Sequence, residues 1–373
     1  MKNSHKVRLV SLRLGGVAPF EDGATLSFVA SKERASRENL YVIPRFRMSL
    51  LPLVALYGEM GAGKSVLMKA LAAIFTAIGE ASFESILSLA VQGERDFYSI
   101  SAVFAVDDRL YEYVIAVRGG NVVKEALIYA RTSKDEVLFL AEADVHTPIV
   151  VPTLVTAGNL LGRFEPSRGE DVEALVRALS HAIYYDPLVV LENREIIVKK
   201  SSIEGFFSLL ENIARNTSSK VAEKLREFLS GVDDSTFGAL ESNERKDYRL
   251  PLSNLSTSEA ALLAVSAILA SQADMENGGI VAIDNFDTLL DFRVTSLILE
   301  KITEYVAGDI FLSLLLGMKE TVFFDQSYFR RDQLVLVGNG TNASTITSLA
   351  EISELRYDRD VRKMYINRLF DAT

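Results

Sequence analysis

The sequence predicts an α/β fold: helix-covered strands joined by a glycine-rich turn, with an antiparallel β-meander and a compact helical insertion. Three observations carry this. An apolar run, Leu53 to Tyr57, leads into Gly58-Glu59-Met60-Gly61-Ala62-Gly63-Lys64-Ser65 and then into a segment where Leu67, Leu71, Ile74 and Ile78 share one helical face. A second apolar run, Ile280 to Ile283, ends in Asp284, and a third spans Ile310 to Leu316. Tyr98 to Val106, Leu110 to Arg118 and Val122 to Thr132 alternate with period two, separated by Asp107-Asp108 and Gly119-Gly120, which is hairpin punctuation.

Composition narrows the functional classes. The chain has 373 residues, room for one large or two ordinary domains, and 49% are apolar, enough for a sizeable core. A formal net charge of −10 argues against a uniformly basic nucleic-acid surface and leaves only a local basic groove. The absence of cysteine excludes disulfides and thiolate metal sites. His5, His146 and His181 are far apart and lack metal-ligand spacing. Met1 to Arg8 is polar and basic with no long apolar run behind it, and no stretch reaches the roughly 18 uninterrupted apolar residues of a membrane span. A cytoplasmic protein without a membrane partner is expected.

In chain order, Val7 to Leu14 alternates and reads as an edge-type strand, with Ala24 to Ala30 as its hairpin partner after Gly15-Gly16. Ser31 to Asn39 is charged and loop-like, and Pro44-Arg45-Phe46-Arg47 is a basic connector. Phe83 to Leu89 reads as helix, and Val137 to Leu140 as a fourth meander strand. From about Pro148 the period becomes helical: Val172 to Ile183, Ile203 to Ala214 and Ser218 to Leu229 are amphipathic. Leu255 to Glu259 opens a helix through Leu269, Phe292 to Val306 is another, Gln333 to Val337 is a strand, and Arg356 to Phe370 is a basic helical tail. The expected organisation is a first lobe over residues 1–148, a helical insertion over 149–247 and a second lobe over 248–373.

Strand, glycine-rich turn and helix give G-x-x-x-x-G-K-S the context of a phosphate site. Residues Gly58, Glu59, Met60, Gly61, Ala62 and Gly63 would curl their N–H groups inward at a helix N-terminus, Lys64 would reach β- and γ-phosphates, and Ser65 would ligate Mg²⁺. Asp284, at the end of an apolar strand, is expected to hold the same Mg²⁺ from the other side. The next residue is Asn285, whose amide can position a water but cannot take its proton. Asp287 and Asp291 are the nearby carboxylates that could substitute as base. Leu255-Ser256-Thr257-Ser258-Glu259 has two compatible readings: a capping box on Ser256 and Glu259, or a loop in which Ser256 grips the γ-phosphate of a partner subunit. Gln92 is a candidate sensor of Mg²⁺ and γ-phosphate. Arg330-Arg331-Asp332 and Lys199-Lys200 are the candidate nucleic-acid contacts.

These motifs, in this order and with a helical insertion between them, resemble the ABC/SMC-type AAA ATPases common in prokaryotic anti-phage defence systems. The likeness spans nearly the whole chain. Thr25 to Lys32 resembles the family's N-terminal hairpin, Leu56 to Leu71 its phosphate-loop block, and Tyr98 to Tyr129 its β-subdomain. Ile283 to Leu290 resembles I-D-E-F-D-T-S-L, and Arg330 to Leu334 and Ser348 to Ile352 resemble its closing segment. The resemblance implies a P-loop NTPase of ABC-ATPase head type that binds ATP and Mg²⁺. It also implies a head-to-tail homodimer or higher oligomer in which Ser256 completes the neighbour's site, and an effector partner such as a nuclease. The departures fall on catalysis. Met60 stands where asparagine is frequent, Ser258 where glycine is usual, Asn285 where the family has glutamate and Asp291 where it has histidine. No histidine follows the Ile310 to Leu316 strand. Slow or impaired hydrolysis is therefore expected, the alternative being a nucleic-acid-stimulated ATPase that uses Asp287 or Asp291.

Overall fold

The computed structural model describes residues 5–32, 40–89, 96–131, 134–150, 152, 166–188, 257–273, 275, 278–307, 312–340, 342–352 and 360–367. Ser256, Gln92, Lys199, Lys200 and most of the expected helical insertion lie outside these residues. The fold is the α/β phosphate-loop class expected, built from two six-stranded sheets.

The first sheet is antiparallel. It joins the N-terminal hairpin, β1 (Val7–Gly15) and β2 (Ala24–Ser27), to the meander β6 (Phe97–Val106), β7 (Arg109–Arg118), β8 (Asn121–Ala130) and β9 (Glu136–Glu142), in the order β2-β1-β6-β7-β8-β9. β1 is therefore an interior strand rather than the edge its alternation suggests. Its side chains alternate less in burial than in polarity, because Arg8 is itself buried and donates to the Leu312 carbonyl at 3.0 Å. A small hairpin, β3 (Tyr41–Ile43) and β4 (Met48–Leu50), spans the basic connector.

The second sheet has the order β10-β11-β12-β5-β13-β14. It comprises β5 (Leu53–Tyr57), β10 (Ile183–Tyr185), β11 (Gly279–Ile283), β12 (Leu312–Gly317), β13 (Leu334–Asn339) and β14 (Ser344–Ser348). All its pairings are parallel except β13 with β14. Its central strands are mostly apolar because both faces are covered, with Ser313 buried in β12 as an exception. Along β5, Val54 and Leu56 enter one core with helix α1 (Lys64–Gly79), whereas Leu53, Ala55 and Tyr57 enter a second core. β11 divides in the same way: Ile280 and Ala282 face the first core, Val281 and Ile283 the second. The first core lies between the two sheets and also takes in α3 (Pro166–Ser180); the short helix α2 (Glu84–Leu87) borders it through Ile86. The second contains residues of α4 (Thr257–Ala273), α5 (Phe292–Ala307) and α6 (Val361–Ile366). No helix among the described residues is long and apolar enough to cross a membrane.

β10 lies in the segment whose period reads as helical through Ile183. α3 ends at Ser180, and the next residues turn to pair Ile183 with Val281, Tyr184 with Ala282 and Tyr185 with Ile283. Three residues are too few for periodicity to separate a strand from a helix end.

α3 is tied to the antiparallel sheet by charge. Asp171 is buried and accepts hydrogen bonds from the Tyr111 hydroxyl and, at 2.6 Å, from Arg109. His5, at the entry to β1, bonds Asp107 at 2.7 Å and lies 3.6 Å from Asp171 and 3.7 Å from Glu170. The hydrogen bond to Asp107 is the main reason its imidazole pKa is raised; burial opposes the shift, and the charges of Asp107 and Asp171 reinforce it. A raised folded-state pKa means that this contribution is complete below the unfolded value, about 6.5, and is lost as pH rises through the folded value. His5→Ala should therefore lower stability at pH 5.5 and leave it nearly unchanged at pH 8.5. Urea midpoints at the two pH values measure this, and an equal loss at both would contradict it.

Candidate functional site

The phosphate loop follows β5 and ends where α1 begins. Gly63 is the residue before the helix, with φ +105°, in the left-handed region. A Cβ there would sit 2.8 Å from a Phe20 ring carbon and 2.9 Å from Pro19 Cγ, so both conformation and space require glycine. Glu59, Met60 and Gly61 form the exposed crest, Met60 being 96% exposed, and Ala62 is buried beneath. Gly58 is half-buried at the start of the loop. The first turn of α1 contains no acid, so no side-chain charge there offsets the positive end of the helix. Lys64 Nζ folds back onto the loop, donating to Gly58 O at 2.5 Å and Glu59 O at 3.2 Å. Its pKa is lowered, first by burial and then by the charge of Lys319, against the opposing fields of Asp284 and Asp287.

Asp284 follows β11, two strands away from β5, with β12 between them. Its backbone N–H donates to Tyr185 O at 2.8 Å, and its Oδ1 accepts from the Asn285 N–H at 2.9 Å. Oδ2 is buried with no hydrogen-bond partner. Burial is the main reason the carboxyl pKa is raised, and Asp186 adds to it; the Ser65 hydroxyl, the Asn285 N–H and the Lys64 charge pull it back. The close approach depends on Gly317, the last residue of β12, because a Cβ there would lie 2.5 Å from Asp284 Oδ1. The Ser65 hydroxyl thus lies beside a carboxylate that keeps one buried oxygen without a partner. Among the described residues, no three acids or histidines cluster to make a metal site of their own. One carboxylate and one hydroxyl instead suit Mg²⁺, which takes few protein ligands and completes its shell with water and substrate phosphates.

Beside Asp284, the neighbouring polar side chains are engaged elsewhere. Asn285 is buried with φ +51°, a left-handed conformation that asparagine adopts more readily than most side chains. Its Nδ2 donates to Asp186 Oδ1 at 2.9 Å, and the same oxygen accepts from the Leu188 N–H at 3.0 Å. Asp287 is buried and bonds the backbone after β12: Lys319 N lies 3.0 and 2.9 Å from its two oxygens, and Glu320 N lies 2.7 Å from Oδ2. Burial raises its pKa, and those N–H groups oppose the rise. Asp291 bonds the Val294 N–H at 2.9 Å at the N-terminus of α5.

The structure thus brings Lys64, Ser65, Asp284, Asn285 and Asp287 to one end of the parallel sheet. Ser258 is exposed in the first turn of α4. At Arg330-Arg331-Asp332, the expected basic contact, Arg331 is 5% exposed, and Asp332 pairs with Arg330 and accepts from the Ser31 backbone N–H and hydroxyl. Sequence reasoning missed Asp186, Gly317 and Lys319. For Asp186 a signal existed: Ile183-Tyr184-Tyr185-Asp186 is a shorter version of the apolar run ending in Asp284.

No protein-family model matches the chain, and no curated protein matches it. Among solved structures, it is similar to the SMC head domain from Thermotoga maritima, at 16% identity over 91% of this chain and 98% of that one, with a TM-score of 0.45. It is also similar to the Smc head domain derived from Pyrococcus furiosus, solved with an extended coiled coil and bound to the C-terminal domain of ScpA. That match has 14% identity over 97% of this chain and 100% of that one, with a TM-score of 0.45. A third similarity is to the recombination mediator protein RecF of the RecFOR pathway, with 12% identity, 93% and 100% coverage and a TM-score of 0.42.

A buried carboxylate with one unpartnered oxygen costs stability that a bound cation returns. Because folding raises the Asp284 pKa, that cost is absent at acid pH and grows as pH rises above the unfolded value, about 3.9. Asp284→Asn should therefore stabilise the nucleotide-free protein by about 1 kcal/mol at pH 7, with the gap closing toward pH 3. Denaturant unfolding with and without Mg²⁺–nucleotide checks this, and the variant should lose stabilisation by the ligand. A variant less stable than wild type at neutral pH, or one still stabilised, would contradict the assignment.

Proposed function

We propose that this protein is an ABC-type ATPase head that binds Mg²⁺–ATP, hydrolyses it slowly, and uses the bound nucleotide chiefly to drive assembly. The observation that carries the binding reading is the convergence of Lys64, Ser65 and the unpartnered oxygen of Asp284 at the carboxyl ends of β5 and β11. Parallel α/β sheets bind ligands at that edge. Lys64 and the start of α1 would hold the triphosphate, and Ser65 and Asp284 would hold the metal. When bound, Mg²⁺ would offset phosphate charge and orient the terminal phosphoryl group. Adenine rather than guanine is favoured because the chain has no N-K-x-D stretch.

Slow turnover follows from the lack of an uncommitted base. A general base needs a carboxylate within reach of the attacking water and able to accept its proton. Asn285 lacks one, Asp287 is bonded to two backbone N–H groups, and Asp291 bonds the start of α5. A ligand bound only by the assembled form stabilises it by RT ln(1 + [L]/Kd), about 2.7 kcal/mol at one hundred times Kd. Within this reading the partner is a second copy of the chain arranged head to tail, with Ser256 completing its neighbour's site. An effector such as a nuclease would respond to the assembled form, the role implied by the resemblance to anti-phage defence ATPases. The lobes at 1–148 and 248–373 would form the nucleotide-binding body around the 149–247 insertion.

A second reading, active hydrolysis, is favoured by one observation: Asp186 is a buried carboxylate one hydrogen bond from Asn285. Steady-state phosphate release and equilibrium binding separate the two. Wild type should bind Mg²⁺–ATP, Lys64→Ala should weaken binding by about 100-fold or more, the loss of two or so charge-assisted contacts, and turnover should stay well below about 1 s⁻¹, the low end of ordinary enzymes. Fast release that depends on both Lys64 and Asp186 would favour the second reading.

A further inference from the structure

β12 lies between the strand that carries the phosphate loop and the strand that carries Asp284, so the residues leaving its carboxyl end enter the site from the middle. Three constraints fix their path. Gly317 pairs with Leu56, two residues ahead of Gly58, and the Met318 N–H donates to Leu56 O at 2.9 Å. On the other side, the Phe286 N–H donates to Gly317 O at 2.9 Å. Asp287 then holds the N–H groups of Lys319 and Glu320 at 2.7 to 3.0 Å. Asp287 is buried, and these bonds satisfy it while fixing the backbone of Lys319 and Glu320.

The Lys319 side chain is exposed, and among the described residues its ammonium has no hydrogen bond or ion pair. Its backbone leaves the strand that lies between β5 and β11, so it shares the sheet edge with the loop that ends in Lys64. Two ammonium groups brought to one edge repel until an anion lies between them, and a terminal phosphate matches both charge and size. The loop strand, the acid strand and the Asp287 anchor therefore bring a second cation to the edge that carries Lys64 and Asp284.

Resting on the nucleotide reading above, we propose that Lys319 is a second phosphate-binding cation, fixed by Asp287, that makes the site prefer a nucleoside triphosphate to a diphosphate. In this arrangement Lys64 holds the phosphates common to both ligands, and Lys319 contacts only the third.

Equilibrium titration of full-length protein with Mg²⁺–ATP and Mg²⁺–ADP tests this in wild type, Lys319→Met and Lys319→Arg. Lys319→Met should weaken ATP about tenfold or more while changing ADP less than about twofold, as expected for one lost charge-assisted contact. Lys319→Arg should keep most of the ATP preference, which a merely structural role would not require. Thermal melts of the unliganded variants should match wild type, since the side chain is exposed. Asp287→Asn, which loosens the anchor but keeps the lysine, should narrow the ATP-to-ADP ratio in the same direction. An unchanged ratio in Lys319→Met overturns the proposal while leaving the nucleotide site intact. Binding of neither nucleotide by wild type removes the site reading, and the proposal with it.

Discussion

Asp284 sits at the end of β11 with one oxygen bonded to the next residue's N–H and the other buried without a partner. Much of the surrounding architecture keeps it that way. Parallel pairing on both sides of β11 fixes the strand, and the N–H of Asp284 is taken by Tyr185. Gly317 yields the space that its carboxylate occupies. α1 brings Ser65 and Lys64 to the same edge from β5, two strands away. A bare carboxylate oxygen costs free energy, and under the proposed function a cation carried in by phosphates would remove that cost.

What lies one residue further on gives the site its particular character. A glutamate at 285 would have to take up the left-handed backbone that Asn285 adopts and would place a second carboxylate against Asp186. Asparagine tolerates the conformation and donates to Asp186, turning a repulsive pair into a hydrogen bond. The same replacement removes the proton acceptor. Asp287 has its own use, as the anchor of the loop that ends β12. Asn285 and Asp287 thus both hold neighbouring groups in place.

Much of this was legible in the sequence, and what was not has physical causes. The phosphate loop, Asp284 and the meander are local patterns of strong period or fixed spacing, and they fell where expected. The joining of β1 to β6 is not local, so its alternation suggested an edge while its pairing partners lay about 90 residues away. β10 was hidden because three residues carry no period, and with it went Asp186, whose meaning appears only when it lies beside Asn285. Lys319 offered no motif at all; only the pairing of Gly317 with Leu56 and the Asp287 anchor give it a place. Arg330-Arg331-Asp332 looked basic in sequence because pairing within the triplet and burial of Arg331 are tertiary properties.

Under the proposed function, the chain holds Mg²⁺–ATP through Lys64, Ser65 and Asp284 and lacks an uncommitted group to activate water. The most direct measurement is a single turnover: excess purified protein is mixed with Mg²⁺–ATP, quenched after about one second at 25 °C, and the recovered nucleotide identified. The account predicts that most of the recovered nucleotide is ATP. Recovery of stoichiometric ADP would contradict it.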